Sequence, residues 1–341
     1  MKQTVKFSLI LLIALSLLAT PAGSDEGGAE ELVRAVPGGA AIGLKLYLDG
    51  LLVVGFSDIP SNGGQTSPGR NAGIRKGDRI IAINDKNIEN IRDFSKTIQD
   101  SSGKDITLTV ERDNKIFKKS MSPVYYNDAG QYKLGIWVRD SAAGIGTVSF
   151  MLDDGRFAAL GHGISDADTE ELITVSSGEV TGSNISSVIK GKPGVPGELR
   201  GAFDNSAEGE VLFNSADGIY GTLTKHTLYH EPLEIEKEKN VTEGNAIIYS
   251  SVDGNEIEEF EVEVQKVMRY NNSDGKCMVI KVTDARLLSR TGGIVQGMSG
   301  SPVIKDGKII GAVTHVFLND PTKGYAIFAE RMLNSLKKEN K

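Results

Sequence analysis

The sequence predicts two domains, a small α+β module followed by a larger, mainly β domain of barrel type. Three observations carry this. At 341 residues, the chain exceeds the ordinary ceiling of about 250 residues for a single core. From about Pro37 to Pro123, β-like apolar runs surround one amphipathic helical stretch. From Tyr125 onward the chain turns into short β-like runs divided by Gly, Asp and Asn, and helical spacing returns only in AERMLNSLKKENK. Many short strands with frequent turns favour a barrel or sandwich over a parallel α/β sheet.

Residues 1–24 carry an address. Lys2 and Lys6 precede an apolar run from Phe7 to Leu18 and small residues through Ala22, the layout of a secretory signal. The run is short for a spanning helix, which needs about 20 residues. No charge falls between Lys6 and Asp25, so both a cleaved signal and a retained anchor stay open. Either one places the rest of the chain outside the cytoplasm. Residues 25–36 are acidic and glycine-containing, and read as a linker.

With 39% hydrophobic and 24% charged residues, the remainder is an ordinary globule able to build real cores. A net charge of −7 leaves no basic stripe to neutralise phosphates, which excludes nucleic acid as a partner. Cys277 is the only cysteine. An intrachain disulfide and a cysteine metal cluster are thereby excluded, and a small buried hydrophobe is the expected role. No cofactor and no metal are expected.

Within the module, AIGLKLYLDGLLVVGFSDI reads as two β runs joined by a turn at Asp49-Gly50. Beyond a polar loop come a strand at Arg79–Ile83, a hairpin-like Asn84-Asp85, a helix over about Ile91–Gln99 and two strands flanking Asp113-Asn114. Ile91, Phe94 and Ile98 recur at helix spacing. The run AGIRKGDRIIAINDKNI, residues 72–88, follows the pattern A-G-[LI]-x-x-G-D-x-I-x-x-[IV]-N-x-x-x-[IV]. On that run the module, residues 37–123, resembles a bacterial PDZ domain, with Ile42-Gly43-Leu44 as the candidate carboxylate loop and Gly77-Asp78 as a tight turn before a buried strand. The resemblance implies binding of extended peptides by strand addition, backbone N–H groups catching a terminal carboxylate.

The second domain, residues 125–335, carries the chemistry. Gly297-Met298-Ser299-Gly300-Ser301-Pro302 has the form G-x-S-G-[GS]-P found around the nucleophile of trypsin-like serine peptidases. Attack on an amide builds an oxyanion, and donors must already be aimed at it. The N–H groups of Gly297 and Ser299 can converge on one point where glycine permits the dihedrals. A hairpin around Asp306-Gly307 comes next, and its second strand ends in Thr314-His315-Val316, a candidate substrate edge. An α/β-hydrolase elbow requires G-x-S-x-G between strand and helix; here Ser301, Pro302 and a β-hairpin occupy those places.

A serine needs a base, and the chain has four histidines, His162, His226, His230 and His315. His162 ends an apolar strand in RFAALGHGISD and is the favoured base, with His315 the alternative. His226 and His230 sit four apart, but in a β-like segment running into Pro232, so they are not expected to share an ion. Asp284, at the end of MVIKVTD, gives the chain order His–Asp–Ser of trypsin-like enzymes, although it lies unusually close to Ser299. Asp166, Asp204 and Asp217 remain alternatives as the orienting acid, each also a typical turn residue.

Taken in order, the N-terminal segment, the PDZ-like module, GHGISD, KVTDARLL and GMSGSPVI…GKIIGAVTHVFLNDPTKGYAIF resemble the SpoIVB peptidase family of endospore-forming bacteria. That resemblance maps the catalytic serine, histidine and aspartate to Ser299, His162 and Asp284. It implies a protease secreted from the forespore, across or anchored to its membrane. Acting between the forespore and mother-cell membranes, it would cleave itself and a membrane-bound regulator of an intramembrane metalloprotease, so that pro-sigma-K is processed. Its PDZ domain would recognise the protease's own chain and its target. HtrA-type proteases place PDZ domains after the catalytic domain, the reverse of the order here. The alternative is a peptide-binding scaffold whose peptidase-like domain is inactive.

Overall fold

The computed structural model describes residues 32–61, 64–224, 230–270 and 275–338. The signal or anchor expected over 1–24, most of the linker expected over 25–36, and His226 lie outside the described residues. Among the described residues no helix is long and apolar enough to cross a membrane.

β1 (Arg34–Pro37) leads into the long β2 (Ala41–Phe56). In its first half, Ile42, Leu44 and Leu46 are buried at period two, as a strand facing a core requires. The turn expected at Asp49-Gly50 is a kink within this one strand. Gly50 sits at φ +84°, and a Cβ there would lie 2.7 Å from the Ile80 carbonyl oxygen. The kink redirects β2, so that Leu51 and Val53 enter a different core.

That second core belongs to the α+β module. A small hairpin of β3 (Ile59–Ser61) and β4 (Gly64–Thr66) precedes α1 (Pro68–Asn71), β5 (Arg79–Ile83) and β6 (Lys86–Asn87). Then come α2 (Ile91–Asp100), β7 (Ile106–Arg112), β8 (Lys115–Met121), β9 (Val124–Tyr126) and β10 (Gln131–Lys133). β5 pairs with β2 and β7, and β7 with β8. The turns at Asn84-Asp85 and Asp113-Asn114 have both central residues at positive φ, the geometry whose twist matches flanking strands. The Asn90 side chain caps α2 by accepting the Asp93 N–H at 2.9 Å. Phe94 and Ile98 pack with Ile80, Ile83 and Leu108, while Ile91 stays at the surface.

β11 (Ile136–Met151) then returns antiparallel along the whole of β2, from Ile136 opposite Phe56 to Thr147 opposite Ala41. With β12 (Arg156–Ala159), β13 (Val175–Ile189), β14 (Glu198–Ser215) and β15 (Gly218–Leu223) it completes a closed circuit, β2–β11–β12–β15–β14–β13–β2. Ile42, Leu44, Val148, Phe157, Val180 and Ile219 fill it.

The remaining strands form a second circuit. Its elements are β16 (Leu233–Ile235), β17 (Gly244–Ser250), β18 (Glu258–Val267), β19 (Met278–Val282), α3 (Ala285–Thr291), β20 (Pro302–Lys305), β21 (Lys308–Phe317), β22 (Asp320–Phe328) and α4 (Ala329–Lys338). It closes as β17–β18–β19–β22–β21–β20–β17 around Phe260, Ile280, Val303 and Ile327. β1 joins the two, pairing with β11 and with β16, which runs parallel to β21.

The architecture is therefore an α+β module with two β-barrels of trypsin-like plan, but the module is lodged inside the first hairpin of the first barrel. Residues 37–48, read from sequence as part of the module, belong to that barrel. The reason is physical: β2 and β11 each run through two cores, so composition changes nowhere along them.

Asp78, 1% exposed, accepts the Arg75 N–H at 2.7 Å and holds Arg112 through both carboxylate oxygens at 2.5 and 2.7 Å. Asp78→Ala removes the carboxylate from the Arg112 guanidinium, which keeps its bond to the Gly73 carbonyl at 3.0 Å. It is expected to cost about 3 kcal/mol, read as a lowered denaturant midpoint for the module's signal.

Candidate active site

Two carbonyls set the nucleophile loop. The Gln296 C=O accepts the Leu199 N–H at 2.8 Å, and the Met298 C=O accepts the Ser301 N–H at 3.0 Å. In a planar trans peptide, N–H points opposite to C=O, so the N–H groups of Gly297 and Ser299 are turned the other way. Neither donates to a backbone or side-chain acceptor among the described residues. Behind the loop stands Thr147, whose N–H donates to the Ser299 carbonyl at 3.0 Å and whose hydroxyl donates to the Gly297 carbonyl at 2.7 Å. Gly300 adopts φ +101°, and a Cβ on it would lie 2.0 Å from the Thr147 oxygen and 2.6 Å from the Leu160 nitrogen. Only glycine fits there. The result is a pair of unspent donors of the kind a developing oxyanion requires.

Ser299 and His162 meet the same dipeptide. The Ser299 hydroxyl donates to the Thr314 carbonyl at 2.6 Å, and the His162 ring lies against the His315 ring, centroids 4.7 Å apart. The His162 turn is locked there because Leu160 N–H donates to Thr147 O and Gly161 has room for no Cβ beside Thr314 and Ile327. His162 Nδ1 bonds the Gly163 carbonyl at 2.9 Å. A carbonyl can only accept, so the proton sits on Nδ1 and Nε2 is left as the acceptor, the tautomer a general base needs. Burial pushes the pKa of His162 below its ordinary value of 6.5, against the opposing pull of the Gly163 carbonyl. Past Ala312, where the pairing of β20 with β21 ends, the Thr314–Val316 edge has no strand on that side among the described residues.

Asp284, expected to orient the imidazole, is placed elsewhere. It is the N-cap of α3, 6% exposed, accepting from the N–H groups of Arg286 (2.8 Å), Leu287 (3.2 Å) and Glu261 (3.3 Å), and paired with the Arg286 guanidinium at 2.9 Å. Although burial opposes it, these bonds hold its carboxyl at about 2, well below the usual 3.8. Its lone pairs are committed to starting the helix that leads into the nucleophile loop. The alternatives do not bond His162 either. Asp166 is buried against Arg139 and the N–H groups of Asp168 and Thr169, Asp217 accepts from the Ser335 hydroxyl at 2.9 Å, and Asp204 lies beside Gly182. Cys277 is fully buried, its thiol pushed up by that burial. His230 stacks on Tyr249, and among the described residues no three His, Cys, Asp or Glu side chains are grouped to hold a metal ion.

Ile42-Gly43-Leu44, expected as the carboxylate loop, lies in the first half of β2, paired on one edge with β11 and on the other with β13. With both edges taken, it cannot add a peptide strand. Beside α2, the outer edge of Ile136–Arg139 pairs with no strand among the described residues, and Leu134-Gly135 precede it. The Leu134 and Gly135 carbonyls accept from Gly69 N–H (2.9 Å) and Ser57 N–H (3.0 Å), so the N–H groups of Gly135 and Ile136 face away from those anchors. Gln99 ties this loop to α2 by bonding both the N–H and the C=O of Tyr132. The signal is present in YKLGIWVRD, where Leu134-Gly135-Ile136 repeats the apolar-Gly-apolar pattern of Ile42-Gly43-Leu44.

Residues 130–333 match the SpoIVB peptidase S55 family, and residues 61–112 match a PDZ domain. The chain belongs to the SpoIVB peptidase S55 family. Its S55 domain is completed by a strand upstream of the matched segment, since β2 closes the first barrel. A Helicobacter pylori protein named as a zinc metalloprotease is 27% identical over 168 residues, 46% of this chain, and the chain spans 46% of that relative's length. A protease of M. tuberculosis in its active form superposes at TM-score 0.33 with 14% identity, over 59% of this chain and 74% of that one. An HtrA-type protease with a decapeptide gives TM-score 0.36 with 12% identity, over 90% of this chain and 66% of that one.

Asn and Ser cap helices as well as Asp. Asp284→Asn is therefore expected to keep turnover within about threefold, whereas an acid that orients a catalytic imidazole loses about 10⁴-fold on the same change. Asp284→Ala is expected to cost about 1 kcal/mol of stability. Because the folded pKa is depressed, the stability from this carboxylate is fully present above about pH 4 and is lost as pH falls toward 2; acid titration of the parent against Asp284→Asn reads it.

Proposed function

We propose that this S55 serine peptidase is a secreted endopeptidase of sporulation signalling. It would cleave itself and a membrane-bound regulator of an intramembrane metalloprotease in the space between forespore and mother-cell membranes, leading to pro-sigma-K processing. The observation that supports turnover most directly is the convergence of Ser299 and His162 on Thr314-His315, with the Gly297 and Ser299 amides unspent beside them.

The chemistry derives from those positions. Rotation about the Ser299 Cα–Cβ bond exchanges the Thr314 carbonyl for His162 Nε2, which takes the hydroxyl proton as Oγ attacks the peptide carbonyl. The oxyanion is received by the N–H groups of Gly297 and Ser299. The imidazolium then gives its proton to the departing amine, and water, activated by the same imidazole, releases the acyl group. The Gly163 carbonyl keeps the ring in register throughout and polarises the Nδ1–H as positive charge develops.

Ser299→Ala is expected to abolish both self-processing and labelling by a fluorophosphonate; a folded parent that takes no label supports the scaffold alternative. Since the base must be neutral and burial lowers the His162 pKa, the acid limb of kcat/KM is expected below pH 6.5. Activity falls as pH drops through that lowered value.

A further inference from the structure

The ladder between β11 and β2 runs without a register shift from Ser141 opposite Tyr47 to Thr147 opposite Ala41. Thr147 turns its N–H to the Ser299 carbonyl and its C=O to the Leu160 N–H, so its peptide groups face away from β2. In an antiparallel strand a residue's N–H and C=O share one edge and alternate residues repeat it. Ile145 therefore presents both groups on the same outward edge, about 7 Å further along. No strand pairs with that edge at Ile145 among the described residues.

Beside it lies a groove of about 490 Å³ lined by Ile145, Phe203, Gln296 and Gly297, with Leu199 packed beneath Gly297. Phe203 is 43% exposed, yet its ring is seated: a Cβ on Gly43 would lie 2.5 Å from Phe203 Cδ1, so the ring rests on bare backbone. The charges on the wall, Glu198 and Arg200, are paired with each other at 3.2 Å and leave the groove neutral.

Gly297 is thus both a wall of this groove and a donor aimed at the oxyanion. Ser299 follows the groove residue Gly297 by two positions and bonds the Thr314 carbonyl; on the peptidase reading the Thr314–Val316 edge takes the acyl side of a substrate. With that edge taken, the groove beyond Gly297 is left for the leaving-group side of the peptide.

We infer that the groove receives the first two residues after the scissile bond, the backbone of Ile145 pairing with the peptide while the exposed ring of Phe203 holds an apolar side chain. This assigns the substrate class as polypeptides with a bulky apolar residue just beyond the cut, and it rests on the peptidase reading of Ser299.

A proteome-derived peptide library, digested by the full chain and read by mass spectrometry, tests it. The parent is expected to favour Leu, Ile, Met or Phe at one of the two positions after the cut by about tenfold over Asp and Glu. Phe203→Glu is expected to erase that preference and to admit Lys and Arg there, whereas Phe203→Leu keeps it within about twofold; a common melting transition checks that each variant folds. A parent that labels with fluorophosphonate but shows the same distribution after the cut in all three proteins overturns the groove and spares the peptidase. A folded parent that neither labels nor cuts overturns both.

Discussion

The antiparallel ladder between β2 and β11 is the constraint on which the other features rest. It carries Thr147 to the back of the nucleophile loop and Ile136 to the strand edge beside α2, and a kink at Gly50 lets one strand serve two cores. Register in such a ladder is fixed wherever one face is buried, because a slip of one residue turns every side chain over. Ile42, Leu44 and Leu46 fix it in the barrel, and Leu51 and Val53 fix it in the module. Two independent cores thus set the phase of a single strand pair.

The same device appears in two loops. At the nucleophile loop, and again at Leu134-Gly135, carbonyls are tied to backbone donors behind the chain. Planarity of the peptide then presents N–H groups in front. The Thr147 and Ser67 hydroxyls reinforce these anchors at the Gly297 and Gly135 carbonyls, and neither loop can collapse without breaking hydrogen bonds on its far side. The imidazole is treated likewise, its tautomer set by the Gly163 main chain. Asp284 is given to the start of α3 instead.

What was legible in the sequence was local. The Asn84-Asp85, Asp113-Asn114 and Asp306-Gly307 turns, α2 and the short strands of the second domain all follow from propensity and period. So does the glycine requirement around Ser299, because the constraint lies within a few residues of the motif. Partnership across long separations was not legible. Ile42-Gly43-Leu44 has the pattern of a carboxylate loop, but only the pairing with β13 shows both edges filled. Asp284 has the right order and residue type for an acid, but its role is decided by the two N–H groups just after it and by Glu261. The insertion of the module was hidden for a related reason, since nothing in one strand's composition says which of two cores its halves will join.

Because the module sits between the two arms of the first barrel's opening hairpin, its folding favours the closure of that hairpin. β2 and β11 are separated by the module's entire length, and closing so long a loop of unstructured chain is entropically costly. A finished module brings its own entry and exit strands together and removes most of that cost. Thr147, and with it the orientation of Ser299, is therefore delivered late. The backing of the nucleophile loop thus depends on the folding of a module that never touches it, a dependence written into connectivity alone.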